Sequence, residues 1–255
     1  MDVLILGGSS LARELATQLH DEGLDVTTSL AGRTLSPRPL PGTVRDGGFG
    51  GADGLAQWLS EERPRCVVNA VHSFAAAMSD HAVRACRASD IPLARLERPS
   101  WHDLSESAHW NWVTSHDAAA AALADISGPL LLTVGRQATA HYLSLGARDV
   151  THRVIDPPAQ ALPTGWHLIT ARGPYTLEGE RELMDAPGHR IAALVTKDSG
   201  GSEPDPKLVV AEEIGAVVVI VERPPEPSEV PQLRSVGQAA DWVHAALGRP
   251  IGWKS

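Results

Sequence analysis

The sequence lacks a long apolar run, a cysteine framework and a surplus of basic residues. Among its 255 residues are two cysteines, Cys66 and Cys86. They have no metal-ligand spacing, and strand-like and helix-like flanks make them buried thiols rather than a redox pair. No apolar stretch is long enough to span a bilayer, so no membrane association is expected. A core strand begins at Asp2, which leaves no room for a signal peptide and makes the cytoplasm the expected setting. The formal net charge of −9 argues against nucleic acid as a partner. An anionic ligand would need a local basic pocket within an acidic surface. The Gly-x-Ser-x-Gly elbow, the Walker lysine and paired zinc histidines are also missing, and the eleven histidines are scattered. A metal enzyme is not expected.

What is present is alternation. Hydrophobic residues make up 43% and charged residues 21%, as in ordinary globular proteins. Short apolar runs at 2–6, 24–29, 43–45, 65–70 and 91–96 alternate with helical periodicity at 14–19, 52–62 and 75–88. The second half repeats this, with strands at 111–113, 130–134, 150–155, 166–170, 191–196 and 216–221. Helices are expected at 115–124, 178–184, 206–213 and 236–247, and the proline-rich stretch 222–231 as a rigid loop. Strands separated by helices imply right-handed crossovers and parallel sheets. The expected fold is α/β, with two Rossmann-like lobes, each a mainly parallel sheet flanked by helices, and a cleft between them. Residues 1–110 would form an N-terminal nucleotide-binding domain and residues 111–255 a C-terminal α/β domain. A chain of this size can stand as a monomer or a weak homo-oligomer.

Candidate ligand residues collect after the strands. Gly7, Gly8, Ser9, Ser10, Ala12 and Arg13 form a small-residue turn into a helix. Such a turn offers free N–H groups and the positive end of the helix dipole to a phosphate, although an ordinary βα turn has similar residues. Ser29, Ala31, Gly32 and Arg33 end the second strand, where a ribose lies in dinucleotide folds. A basic residue there accommodates a 2′-phosphate and favours NADPH over NADH; the alternative is a surface arginine. Phe49, inside Asp46-Gly47-Gly48-Phe49-Gly50-Gly51, either stacks on a flat ligand or packs into a helix start. Ala70 and His72 follow the fourth strand, where His72 can donate a hydrogen bond, shuttle a proton or be structural. Arg98, Trp101, Arg172, Tyr175, Lys197, Ser199, Gly200, Gly201 and Lys207 lie in later loops; Lys197, Ser199, Gly200 and Gly201 are expected to touch the cofactor, and Arg98, Trp101, Arg172, Tyr175, Lys197 and Lys207 the substrate. Cations beside aromatics suit a large, flat ligand with many carboxylates, and each charge taken singly also fits a solvated loop.

Together these motifs make the chain resemble the precorrin-6A reductase family of cobalamin biosynthesis. The matching pieces are Leu6-Gly7-Gly8-Ser9-Ser10 with Ala12-Arg13, Ala31-Gly32-Arg33 and Gly47-Gly48-Phe49-Gly50-Gly51. His72 with Phe74-Ala75, Leu96-Glu97-Arg98-Pro99-Ser100-Trp101, Arg172-Gly173-Pro174-Tyr175 and Val195-Thr196-Lys197-Asp198-Ser199-Gly200-Gly201 complete the set. The resemblance implies NADPH as cofactor, a tetrapyrrole-derived macrocycle as substrate, and reduction of precorrin-6A to precorrin-6B. Peripheral carboxylates would dock on Arg98, Arg172, Lys197 or Lys207, and His72, Tyr175 or solvent would supply a proton. The sequence departs from the family pattern at Asn69, Val71 and Ser73, where Asp, Thr and Pro are usual. The alternatives are an NADPH-sensing regulator without chemistry and the cobalt-precorrin-6A form of the same reduction. A short-chain dehydrogenase is disfavoured because neither Tyr142 nor Tyr175 has a lysine four residues on.

Overall fold

A computed structural model of the chain describes residues 1–30, 39–225 and 229–248. Ala31, Gly32 and Arg33 of the expected cofactor site therefore lie outside the described residues. Val3–Leu6 (β1) is buried at every position, as a central strand covered on both faces must be. Ser10–Asp21 (α1), Val26–Leu30 (β2), Thr43–Asp46 (β3), Ala52–Glu62 (α2), Cys66–Asn69 (β4), Ala76–Ala88 (α3) and Leu93–Leu96 (β5) follow. Ser9 starts α1, its hydroxyl accepting from the Ala12 N–H.

After β5 the chain passes through two 3₁₀ segments, Trp101–Asp103 and Ser105–His109, to Asn111–Val113 (β6). His116–Ala122 (α4), capped by Ser115, leads to Leu130–Leu132 (β7). A ten-residue 3₁₀ segment, Arg136–Leu145, precedes Val150–Val154 (β8) and Trp166–Thr170 (β9). Leu177–Met184 (α5), a small hairpin of Asp185–Ala186 (β10) and His189–Arg190 (β11), Ala193–Lys197 (β12), Pro206–Glu213 (α6) and Val217–Val221 (β13) follow. Gln232–Leu233 (β14) and Val236–Ala246 (α7) end the described chain.

The strands form two six-stranded sheets, ordered β14-β5-β4-β1-β2-β3 and β6-β13-β12-β7-β8-β9. Every pairing within them is parallel. The first sheet takes an edge strand from the far end of the sequence: β14 follows β13 but pairs with β5, whereas β6, which follows β5, pairs with β13 in the second sheet. The chain accordingly divides into one unit of residues 1–98 with the residues from Pro224 onward, and a second of residues 99–223. The single change of domain expected between residues 110 and 111 is thus replaced by two crossings. The cause is packing. Ala239, Ala240 and Val243 of α7 join Leu15 and Leu19 of α1 in the first unit's core.

Within each sheet the direction of winding reverses once, between β1 and β4 in the first and between β7 and β12 in the second. In open parallel sheets the crevice beyond the strand ends at such a reversal is where ligands bind. Among the described residues no helix is long and apolar enough to cross a membrane. No group of His, Cys, Asp or Glu among the described residues is arranged to hold a metal ion.

Candidate cofactor and substrate sites

The first unit carries Gly7, Gly8, Ser9, Ser10, Ala70 and His72 of the expected cofactor residues at its reversal, while Lys197, Ser199, Gly200 and Gly201 belong to the second unit. Gly7 is there for packing, because a Cβ would lie 2.8 Å from Thr28 Cγ2. Gly8, with φ of +117°, turns the chain from β1 into α1 and has open space where a Cβ would be. Ser9 Oγ donates to the Ala70 carbonyl at 2.7 Å, tying the exits of β1 and β4 together. The first turn of α1 carries no acidic residue, so nothing there offsets the positive end of its dipole. Arg98, at the exit of β5, donates to Ser10 Oγ at 2.6 Å and brings a guanidinium to this helix end. Buried Arg13 Nε has no hydrogen-bond partner. Ala12 is 1% exposed and packs α1 against the sheet.

His72 is exposed in the loop after β4. Its Nδ1 accepts from the Phe74 N–H at 3.2 Å, which places the neutral ring's proton on Nε2. The loop is held from below by Arg95, which donates to the carbonyls of Asn69 and Val71 and to Asn69 Oδ1. Asn69 Nδ2 donates to Ser79 Oγ at 3.1 Å. Glu97 balances the Arg95 charge at 3.1 Å, both side chains being buried. The Asn69 amide thus accepts from Arg95 and donates to Ser79 at the base of this loop.

One residue that sequence reasoning passed over belongs with this group. Arg45, ending β3, donates to the carbonyls of Gly47 and Gly48 and lies 3.4 Å from Ser29 Oγ, at the end of β2. Its guanidinium covers the Phe49 ring at 3.8 Å, and the ring meets Trp58 edge-on at 5.6 Å. Of the two readings of Phe49, the one in which it packs at a helix start describes its contacts. The available signal was an arginine at a strand end just before a glycine-rich turn.

In the second unit several of the expected ligand residues build the fold instead. Trp101 is fully buried and Lys207 nearly so; Lys207 pairs with Asp205 and lies 5.2 Å from the Trp101 ring centre. The indole face meets core side chains and an internal cation, so it is not an open stacking surface. Asp198, 1% exposed, accepts from Ser100 Oγ at 2.6 Å, from the Trp101 N–H at 3.2 Å and from Arg223. Gly201 N–H donates to the Pro99 carbonyl. Gly200 has φ of +67°, and a Cβ on it would run into Arg223 and the Pro99 carbonyl. The Lys197–Gly201 and Pro99–Trp101 segments thus lock each other in place. Ser199 lies in this same turn, its hydroxyl 3.4 Å from the Lys197 carbonyl.

Tyr175 donates to the Ala171 carbonyl at 2.9 Å and is stacked under Arg153 at 3.9 Å. Burial raises its pKa. Its hydroxyl closes its own loop, while Arg172 in that loop is exposed. Lys197, at the end of β12, stands at the second reversal, and burial lowers its pKa.

Comparison with known proteins agrees with this architecture. A family model described as precorrin-6x reductase CbiJ/CobK matches residues 2–244. The precorrin-6A reductase of Rhodococcus erythropolis is 41% identical over 242 residues, covering 94% of this chain and 96% of that protein. That of a Sinorhizobium species is 38% identical over 251 residues, covering 96% and 94%. A solved structure titled CobK precorrin-6A reductase superposes with a TM-score of 0.87 at 32% identity, covering 99% of each chain. By the extent of that model match and the identity to those relatives, the chain belongs to the precorrin-6x reductase family.

Proposed function

We propose that this oxidoreductase reduces precorrin-6A to precorrin-6B with NADPH, by hydride transfer to a double bond of the macrocycle. The observation that carries the cofactor half is the acid-free N-terminus of α1 at the first reversal, with the Arg98 guanidinium on Ser10. The substrate half rests on the family and on relatives named precorrin-6A reductase.

The residues present fit a phosphate-bearing nicotinamide cofactor. Buried Arg13 Nε lacks a partner, and Gly8 leaves open space beside the helix end. Gly7, Gly8, Ser9 and Ser10 would hold the pyrophosphate on backbone N–H groups, with Arg13 and Arg98 adding charge. Ser29 and Arg45, with Ala31, Gly32 and Arg33 from the sequence, would surround the ribose and its 2′-phosphate. Ala70 and His72 would line the reacting ring. When bound, this group supplies the hydride; the protein supplies orientation and charge. His72 carries a proton at Nε2, which suits it to hydrogen-bond the cofactor or substrate at that loop. Arg172 is the exposed cation for a peripheral carboxylate of the macrocycle. Relatives 35–41% identical over about nine-tenths of this chain are named precorrin-6A reductase, against 26–28% for relatives of similar coverage named cobalt-precorrin-6A reductase. On that balance the proposed substrate is precorrin-6A without cobalt, and the proposed setting is the cytoplasm.

Anaerobic incubation with precorrin-6A and NADPH, following nicotinamide absorbance, tests the reading. Oxidation of NADPH with formation of the reduced macrocycle is expected. NADPH binding with no turnover would replace it with a regulatory role, and faster turnover with NADH would remove the 2′-phosphate assignment. A preference for the cobalt-loaded macrocycle would overturn the metal-free assignment.

A further inference from the structure

Tyr175 is 37% exposed although much of it is engaged. One face of its ring lies under the Arg153 guanidinium at 3.9 Å. Its hydroxyl donates to the Ala171 carbonyl at 2.9 Å. A Cβ on Gly173 would lie 3.3 Å from ring atoms Cδ2 and Cε2, so the chain passes close along that edge. The exposed part is therefore the ring face turned away from Arg153. Ile155, directly after β8, and Leu177, first in α5, are also exposed apolar side chains at the exits of β8 and β9.

Three segments set the plane of this ring. Arg153 comes from β8, Glu180 from α5, and Tyr175 from the loop between β9 and α5. Arg153 Nη1 is 2.8 and 3.0 Å from the two Glu180 carboxylate oxygens, and both side chains are buried. A buried ion pair adds little stability over apolar side chains of the same volume. It does fix the plane of the guanidinium, and that plane orients the ring stacked on it. The same contacts argue against Tyr175 as the proton source. Its phenol proton is directed at Ala171, and burial raises its pKa. We propose that the open face of Tyr175 is a stacking platform for the plane of the macrocycle, with Arg153 and Glu180 as the positioning residues that hold it. The assignment rests on the reductase reading above. It adds Arg153 and Glu180 to that reading and gives Tyr175 a binding role in place of proton donation.

A double-mutant cycle in steady-state kinetics tests it, with thermal melting to verify folding. Tyr175→Leu loses the flat ring and should raise KM for precorrin-6A roughly tenfold, with kcat and KM for NADPH within about twofold. Arg153→Met combined with Glu180→Leu leaves no uncompensated charge and should raise the same KM by about threefold or more. Added to Tyr175→Leu, that pair should change KM by less than about twofold, because its effect passes through the ring. Full additivity would overturn the positioning role, and an unchanged KM in Tyr175→Leu would overturn the platform. Tyr175→Phe keeps the ring and should raise KM less than Tyr175→Leu does. A large fall in kcat at constant KM in Tyr175→Phe would make the hydroxyl the proton source and overturn the binding role. A measurement on wild-type protein separates the platform from the reductase reading. The sequence has two tyrosines, Tyr142 and Tyr175, and their ¹³C-labelled rings are followed by NMR during titration with uroporphyrin, a flat eight-carboxylate tetrapyrrole. The porphyrin ring current should move the Tyr175 signals upfield and leave those of buried Tyr142 in place. That result supports the platform even if precorrin-6A is not turned over. Absence of a Tyr175 shift overturns the platform whether or not precorrin-6A is turned over.

Discussion

At the residue scale the second unit stores its pH sensitivity in histidines kept neutral. His116 is held at about 4 by burial, Lys197 and His141, against a partial opposing pull from Asp117. The buried His152, whose Nε2 meets Thr139 Oγ1 at 3.0 Å, is also shifted down by burial. A histidine whose folded pKa is depressed binds protons more readily in the unfolded chain. Its contribution is complete above the unfolded value near 6.5 and is lost as pH falls from there toward the folded value. Stability to urea should therefore decline between about pH 6.5 and 4 by about 1–3 kcal/mol from His116, after discounting for its partial exposure. Replacing His116 by Asn should flatten this acid limb, leaving the part due to His152. An unchanged slope in the variant would show that other groups set it.

At the scale of elements, β5 is decided by a buried ion pair. Arg95 and Glu97 are 2% and 5% exposed and 3.1 Å apart, and Arg95 supports the loop carrying His72. Glu97→Ala would leave that guanidinium buried without the carboxylate that faces it at 3.1 Å. A loss of about 3 kcal/mol is expected from urea unfolding. The pair Arg95→Met with Glu97→Leu should cost less, because no uncompensated charge remains. If Glu97→Ala unfolds at the wild-type urea concentration, the carboxylate is not what neutralises Arg95. This network also marks what a sequence reveals. The strands Val3–Leu6 and Cys66–Asn69 are apolar but for the final Asn69, and local pattern alone identifies them as central and buried. Gln232–Leu233 is two residues beside a proline-rich stretch, and it becomes a strand only because β5 presents an open edge. The same division holds for the sites. Gly8, Ser9 and Arg98 could be singled out because a turn after a strand has a known use, and the fold places them together at the α1 N-terminus. Arg45 could not, since its place beside the cofactor residues comes from Ser29, which is distant in sequence. Trp101, Lys207 and Gly200 stood out as motif residues, but the contacts of Pro99, Asp198 and Arg223 show packing as their work.

At the scale of the whole molecule, the return of β14 to the first sheet makes the first unit depend on the end of the chain. Its sheet is closed by β14, and α7 covers α1 with Ala239, Ala240, Val243 and Leu247, all 4% exposed or less. Burying the Val243 and Leu247 side chains alone is worth about 3–6 kcal/mol, a large share of a domain's total of about 5–15 kcal/mol. Arg65 adds a hydrogen bond to the Leu247 carbonyl at 2.7 Å. The second unit has no such debt to residues beyond Arg223, since β6 comes from residues 111–113. Truncation after Arg223 should therefore act on one unit only. Hydrogen exchange should show residues 1–98 losing protection while β7, β12 and β13 keep theirs, and NADPH affinity should fall with the first unit. Native protection of β1 and β4 together with wild-type NADPH binding would mean that the borrowed strand and helix decorate a core already complete. Loss of protection in both units would mean that the second sheet depends on the first for its stability, and that the two fold as one cooperative system.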